Sequence, residues 1–324
     1  MKRLTLVLAL SMVCQGAAMA QVTFKPPATP PMGGTSTSMT LRWTKAGATD
    51  AMAVAMASDG TVWIMRRDGT LSTSRDRGAT FVPVRSPMPF ATIAAGGKNV
   101  VVALDLFSRL WRFADNQWQL TEKGDLQDVA VTSRGRVVMV KKRVIPDERN
   151  YLIADGPVAA PQTVALTPDM PVVPPTLVSA GGDQDFLLIT NTLQAPFRCQ
   201  DREWPAGDPR AGQPPVCGPL PESLNFKLWP TKAVAGSAKG VFILLQDGRV
   251  YQPGNVITQL ASIRSGDNPT QIGLRNEEPV TARIGFTDIA GSIGDVFGVA
   301  VDGQLWRMVE CSSYAGLGPC SNPK

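Results

Sequence analysis

The chain offers little of the usual side-chain chemistry. None of its 324 residues is histidine, which removes Ser-His-Asp and Cys-His nucleophilic schemes and every imidazole metal site. Paired carboxylates remain available, since two Asp or Glu residues suffice for glycoside hydrolysis. No D-x-D-x-D-G calcium loop occurs, and neither a metal nor a cofactor is expected. Two clusters of bases, Arg66-Arg67 and Lys141-Lys142-Arg143, could hold an anionic ligand. Trp204, flanked by Glu203 and Pro205 and lying between Cys199 and Cys217, is placed as an aromatic anchor on a tethered loop.

The elements that must position these groups are repeats. From Val54, Ile93, Val129, Val178, Val234 and Ile289 the sequence runs as an apolar strand, a small-residue turn, a second apolar strand, a tight turn and a third strand. The starts are 39, 36, 49, 56 and 55 residues apart, a period that marks an array of equivalent units. Val241–Leu245 and Val100–Leu104 are too apolar for a solvent-facing strand and read as buried on both faces. Asp68-Gly69, Asp247-Gly248 and Asp302-Gly303 recur between second and third strands, where Asp-Gly signals a two-residue hairpin with both central residues at positive φ. Turn chemistry accounts for these aspartates without a catalytic role.

Fourth strands are expected at 80–84, 117–120 and 256–260. The sixth copy runs out after Met308, and Met39-Thr40-Leu41-Arg42-Trp43 supplies a spare strand. The expected fold is therefore all-β: a six-bladed β-propeller closed by an N-terminal strand in the last blade, occupying residues 39–324 as one domain. Closure removes the open sheet edge that would recruit other chains, and a monomer is expected. Pro- and Gly-rich insertions fall at 157–175, 195–224 and 264–283.

Ser74-Arg75-Asp76-Arg77-Gly78-Ala79-Thr80-Phe81 resembles the Asp-box, or BNR repeat, of sialidase-like propellers, a fold element lying between third and fourth strands. The resemblance implies architecture and no activity: a sialidase would bring three arginines, a glutamate and a tyrosine nucleophile together, and only Tyr151, Tyr251 and Tyr314 exist here. The other copies, best seen in Val241–Tyr251 and Val296–Arg307, resemble tectonin-type repeats, which implies a lectin or recognition scaffold. Trp111, Tyr251 and Trp306 hold matching third-strand positions, as sugar platforms or as packing between blades.

Residues 1–20 read as a secretory signal peptide: Lys2 and Arg3, an apolar run from Leu4 to Val13, and Ala18-Met19-Ala20 as cleavage site. The run is far short of the roughly 20 residues of a spanning helix, so no membrane span is expected. Cleavage after Ala20 places the chain in the periplasm or outside the cell, with residues 21–38 as an extended leader. It also removes Cys14 and leaves Cys199, Cys217, Cys311 and Cys320, an even set suited to disulfides. Three connectivities are open; the nearest-neighbour choice is Cys199–Cys217 with Cys311–Cys320.

Net charge is +5 and falls by two when Lys2 and Arg3 leave with the signal. That is too mild and too dispersed for nucleic acid. In propellers the turns between second and third strands share a face with the blade-to-blade connections. Bases projecting there would attract an anionic glycan or an acidic protein; otherwise they form a solvated rim. The expected activity is binding of a carbohydrate or an envelope protein. A carboxylate-based glycan hydrolase or lyase is the alternative.

Overall fold

The computed structural model describes residues 39–122, 124–142, 150–154, 156, 159–165, 177–180, 186–190, 197–200, 207–209, 216–219, 231–237, 240–246, 248, 250–251, 285–292 and 294–312. The fold is all-β in a propeller arrangement. Among the described residues the helical content is one three-residue 3-10 turn, Gly97–Asn99.

The strands run β1 (Met39–Lys45), β2 (Ala51–Met56), β3 (Val62–Arg66), β4 (Leu71–Ser74), β5 (Val82–Val84), β6 (Phe90–Ala95), β7 (Val101–Asp105), β8 (Leu110–Ala114) and β9 (Gln117–Glu122). There follow β10 (Leu126–Val131), β11 (Val137–Lys141), β12 (Asn150–Ala154), β13 (Gln162–Ala165), β14 (Leu177–Ala180), β15 (Phe186–Thr190), β16 (Phe197–Gln200) and β17 (Val216–Pro219). The last are β18 (Thr231–Ser237), β19 (Gly240–Leu245), β20 (Val250–Tyr251), β21 (Phe286–Ser292), β22 (Asp295–Ala300) and β23 (Leu305–Ser312).

They form separate antiparallel sheets: β2-β3-β4-β5, β6-β7-β8-β9, β10-β11-β12-β13, β14-β15-β16-β17, β18-β19-β20 and β1-β23-β22-β21. Each repeat start picked out by sequence lies on the end strand of its sheet, β2, β6, β10, β14, β18 or β21. These end strands neighbour one another in a circuit: β2 beside β6, then β10, β14, β18, β21 and β2 again. The N-terminal strand pairs antiparallel with β23, Met39 opposite Ser312 through Lys45 opposite Trp306. The expected fourth strand at 256–260 lies outside the described residues.

The core lies between sheets, which explains strands without a polar face. Along β3, Val62 and Ile64 pack with Phe297, Val299 and Leu305 of the last sheet. The alternate residues Trp63 and Met65 pack with Ile93, Val101 and Ala103 of the next one. β7 repeats this, giving Ala103 to one interface and Val102 and Leu104 to the other. A period of two therefore distributes apolar residues to both sides. Trp43 on β1 joins the cluster of Phe242, Phe286 and Val296, its ring 4.6 Å from that of Phe286.

The Asp-Gly turns differ from the two-residue hairpins expected. Arg66 N–H donates to Thr70 O at 2.8 Å and Gly69 N–H to Arg66 O at 2.9 Å, so three residues lie between the bonded pair. Only the glycine is left-handed, φ +79° at Gly69 and +89° at Gly303; this is a type I turn closed by a left-handed residue. The Asp68 carboxylate accepts from Thr70 N–H at 2.9 Å and Thr70 Oγ1 at 2.7 Å, and Asp302 accepts from Gln304 N–H at 2.9 Å. The turn also has a second task. Gly69 O accepts the N–H of Phe90, Gly248 O that of Phe286, and Gly303 O that of Ala51, each the first residue of the next inner strand. Ser108, at φ +64°, does the same for Leu126. A Cβ on Gly69 would lie 2.6 Å from Pro89 Cβ, and one on Gly303 would lie 3.0 Å from Asp50 Cα.

The Ser74–Phe81 segment builds the β4–β5 hairpin. Asp76 accepts from Ser74 Oγ at 2.6 Å and from Thr80 N–H at 2.9 Å, while Ser74 Oγ accepts from Gly78 N–H at 2.8 Å. The Ser74 hydroxyl, then Thr80, hold the Asp76 carboxyl well below the usual carboxylate range. Gly78 O accepts Gly47 N–H at 2.7 Å, tying this hairpin to the link between β1 and β2.

Substituting Gly303→Ala is expected to cost about 1–3 kcal/mol, because it places a Cβ at positive φ against the main chain of Asp50. Denaturant unfolding of the variant checks this; an unchanged midpoint would show that the turn does not anchor β2.

Candidate functional site

The inner strands enclose a channel of about 860 Å³, within the range of small-ligand sites. One device recurs at its entrance. β2, β6, β10, β18 and β21 each slip register one residue after the strand's first residue, so that Met52, Ala91, Gln127, Lys232 and Thr287 are bulged out. A bulge re-aims the side chains around it. In β10 and β21 the next residue is an aspartate, Asp128 or Asp288, and both line the channel.

Each of these carboxylates spans a seam between sheets. Asp128 Oδ1 accepts the N–H of Val129, and its Oδ2 accepts that of Val178 on β14, both at 2.9 Å. Asp288 Oδ1 accepts the N–H of Ile289, and its Oδ2 accepts that of Val54 on β2, again at 2.9 Å. At the β14–β18 seam a hydroxyl does the same work: Ser179 Oγ accepts Val234 N–H at 2.9 Å and donates to Val234 O at 3.2 Å. The two aspartates lie three strands apart whichever way the circuit of inner strands is followed.

Burial dominates their ionisation. It pushes the Asp128 carboxyl up to about 7 against the bonds from Val178 and Val129, and the charge on Asp288 adds to the rise. Asp288 is pushed up to about 6 by burial, against the bonds from Val54 and Ile289 and the attraction of Lys232. The described charged side chains lining the channel are thus Asp128, Asp288, Arg67 and Lys232.

Of the bases read from sequence, Arg67 lines the channel. Its Nη2 donates to Val301 O at 3.2 Å, and its Nε is 3.6 Å from Asp50. Arg66 turns aside to Thr49 O at 3.3 Å. Lys141 and Lys142 are exposed at the end of β11, away from the described channel lining. Arg143, Trp204 and Cys320 lie outside the described residues. Cys199 on β16 is buried and stands directly opposite Cys217 on β17; Cys311 lies on β23. Sequence reasoning missed Asp128, Asp288 and Lys232. The available signal was an Asp immediately before the repeat start in two copies, Asp128-Val129 and Asp288-Ile289.

A second feature on this face also went unread. In the β7–β8 turn, Leu106 and Phe107 are 66% and 72% exposed. The turn is held by buried Asp105, which accepts from Phe107 N–H at 2.8 Å, Arg109 Nε at 2.7 Å and Trp111 Nε1 at 2.8 Å. Burial pushes the Asp105 carboxyl up, but these bonds outweigh it and hold it below the usual range. The Arg109 guanidinium lies 5.1 Å from the Phe107 ring and 5.7 Å from that of Trp111. Trp111 is thereby committed to the turn.

No protein-family model matches the chain, and no curated protein matches it by sequence. Solved structures match by fold. A protein of unknown function from Bacteroides thetaiotaomicron aligns over 85% of this chain and 77% of its own, with TM-score 0.54 and 8% identity. A gluconolactonase-like structure aligns over 84% of this chain and 93% of its own, with TM-score 0.52 and 13% identity. A catalytically inactive histidine-to-alanine variant of virginiamycin B lyase from Staphylococcus aureus, with quinupristin, covers 84% of this chain and 99% of its own, with TM-score 0.50 and 10% identity. These neighbours are β-propeller proteins, and at such identities the likeness is one of fold alone.

The raised carboxyls set a direction for pH dependence. A folded-state pKa of about 6 to 7 against ~3.9 unfolded means the native state holds the extra protons between those values. Stability from these two groups therefore falls as pH rises from about 4 to 7 and levels off above. Melting temperature measured from pH 4.5 to 8 is expected to show a downward component that Asp128→Asn and Asp288→Asn flatten. An unaltered slope in both variants would count against carboxylates buried as described.

Proposed function

We propose that this chain is an exported, non-catalytic β-propeller that binds a carbohydrate or protein partner in the cell envelope, using the face that carries the channel mouth. The six separate sheets, the circuit of inner strands and the pairing of β1 with β23 support six blades closed into one ring by the N-terminal strand. The Ser74–Phe81 hairpin supports kinship with Asp-box propellers, and the repeated third-strand aromatics support the tectonin-like reading. The N-terminal leader supports periplasmic or extracellular location, with the mature chain beginning at Gln21 and acting as a monomer.

One observation carries the non-catalytic reading. The two carboxylates described in the channel each accept two main-chain N–H bonds and hold neighbouring sheets together. A general acid or nucleophile must instead present its oxygen to substrate. The lyase neighbour is inactive as a histidine-to-alanine variant, and this chain has no histidine. Hydrolase or lyase chemistry would rest on the raised carboxyls of Asp128 and Asp288, which structural burial already explains. Strand partners directly opposite in an antiparallel pair have Cα atoms about 4.5–5.5 Å apart, inside the range of a disulfide. A Cys199–Cys217 bridge follows, with Cys311–Cys320 as the remaining pair. Trp204 and the bases Arg66, Arg67, Lys141, Lys142 and Arg143 stay as binding candidates.

The exported protein, screened on a glycan array with Trp204→Ala alongside and assayed for product by mass spectrometry, is expected to bind without turnover. Its N-terminus should be Gln21, and its cysteines should resist alkylation until reduced. Turnover abolished by Asp128→Asn in a folded protein would replace this reading with the enzymatic one.

A further inference from the structure

We infer that the channel mouth is a site for the end of an uncharged oligosaccharide, a conclusion that rests on the binding reading above and names its ligand. Several independent features of the mouth converge on that chemistry.

The first is charge. Among the described lining residues two cations, Arg67 and Lys232, face two carboxyls, Asp128 and Asp288. Arg67 is already close to Asp50, and Lys232 already acts on Asp288. An anionic sugar would have to displace this balance, and a cationic one would meet Arg67 and Lys232. A neutral ligand takes both donors and acceptors and leaves these pairings in place.

The second is the arrangement of polar groups. The bulged residues Met52, Ala91, Lys232 and Thr287, on four inner strands, all line the channel. Thr92 from β6, Thr287 from β21 and Gln246 from the β19–β20 turn line it with hydroxyls and an amide on separate strands; the Thr287 hydroxyl donates to Val299 O at 3.2 Å and keeps its acceptor side. Each inner strand is also an end strand, so one main-chain edge has no ladder partner and runs along the channel, with the N–H groups of Val54, Val129, Val178, Val234 and Ile289 held by Asp288, Asp128 and Ser179. A pyranose carries hydroxyls around its whole perimeter, each both donor and acceptor, and meets groups on several strands at once. An extended peptide carries its main-chain polar groups along two edges and would leave much of the rim unpaired.

The third is the apolar component. Met52, a bulged residue, and Val301, in the β22–β23 turn, are both exposed and both line the mouth. They offer flat aliphatic surface to the C–H face of a sugar ring.

The test is isothermal titration calorimetry of the full mature protein against maltohexaose, cellohexaose, xylohexaose and chitohexaose, beside hexagalacturonate and a chitosan hexamer, with products followed by mass spectrometry. At least one neutral hexasaccharide is expected to bind ten-fold or more tightly than both charged ones. Gln246→Ala and Val301→Lys, both at exposed turn positions, are expected to weaken it five-fold or more. Gln119→Ala, on the outer strand β9, should leave it unchanged. Failure of every neutral hexasaccharide, preference for a charged one, or insensitivity to both mouth variants in folded protein would overturn the site. Binding accompanied by cleavage would leave the site standing and overturn the non-catalytic reading instead.

Discussion

The main-chain bond from a turn carbonyl to the first N–H of the next inner strand sets the geometry of this molecule. It recurs from Gly69 to Phe90, Ser108 to Leu126, Gly248 to Phe286 and Gly303 to Ala51. The residue so hooked is buried every time, at 2%, 2%, 6% and 2% exposure. The hook therefore drives one apolar side chain between adjacent sheets and fixes where the inner strand begins. One residue later the strand bulges, and on β10 and β21 the residue after that is the aspartate that bridges the seam. Position along the channel is thus inherited from a single hydrogen bond at the rim. The Gly303 hook also joins the sheet completed by β1 to the sheet that begins with β2, so the same bond serves the sheet in which β1 and β23 pair.

Below the hooks, the seams are held by side chains whose chemistry differs while their geometry does not. Ser179 bridges one seam as a neutral hydroxyl. Asp128 and Asp288 bridge two others as carboxyls whose ionisation burial makes harder. A hydrogen bond to a charged group contributes about 1.5–3 kcal/mol net. Two such bonds per aspartate do not cancel the desolvation of the charge, since both carboxyls stay raised. The serine solution avoids that cost entirely. What the aspartates add is reach: each ties its own strand and its neighbour with separate oxygens. The clips are thus a cohesive device that carries an electrostatic penalty.

Much of this was legible in the sequence because it is periodic. Six repeat starts fall on inner strands, the spare segment at Met39–Trp43 pairs with the last strand, and the fourth strand expected at 117–120 is β9. The turn type was misread because Asp-Gly is shared by two hairpin families, and the choice depends on φ at the aspartate, which composition does not encode. The channel aspartates were invisible for another reason. A bulge shifts which face a residue occupies, so a two-residue period does not place Asp128 and Asp288 at the seams they span. Lys232 is hidden likewise, since a bulged residue breaks the two-residue period. Leu106 and Phe107 occupy a turn where other copies carry Asp-Gly, and only the Asp105 and Arg109 contacts show that the turn is rigid.

The third-strand aromatics then take a definite place. Trp111 gives its indole N–H to buried Asp105, and its ring packs with Phe90 of its own sheet, centroids 6.4 Å apart. Trp306 packs beside Trp43 against Phe286, with the Lys45 ammonium 5.7 Å from its ring. Asp105 ends β7 and Ala300 ends β22 at the matching position, so Trp306 has no counterpart carboxylate on its second strand. Its Nε1 is indeed buried without a hydrogen-bond partner. An aromatic retained at the same offset whether or not its polar end is satisfied is being used for volume between sheets. Both rings are half-buried and packed against the clusters between sheets. The side chains that vary from sheet to sheet are those of the bulged rim and the exposed turns, and the shared grammar of the repeat holds them in place.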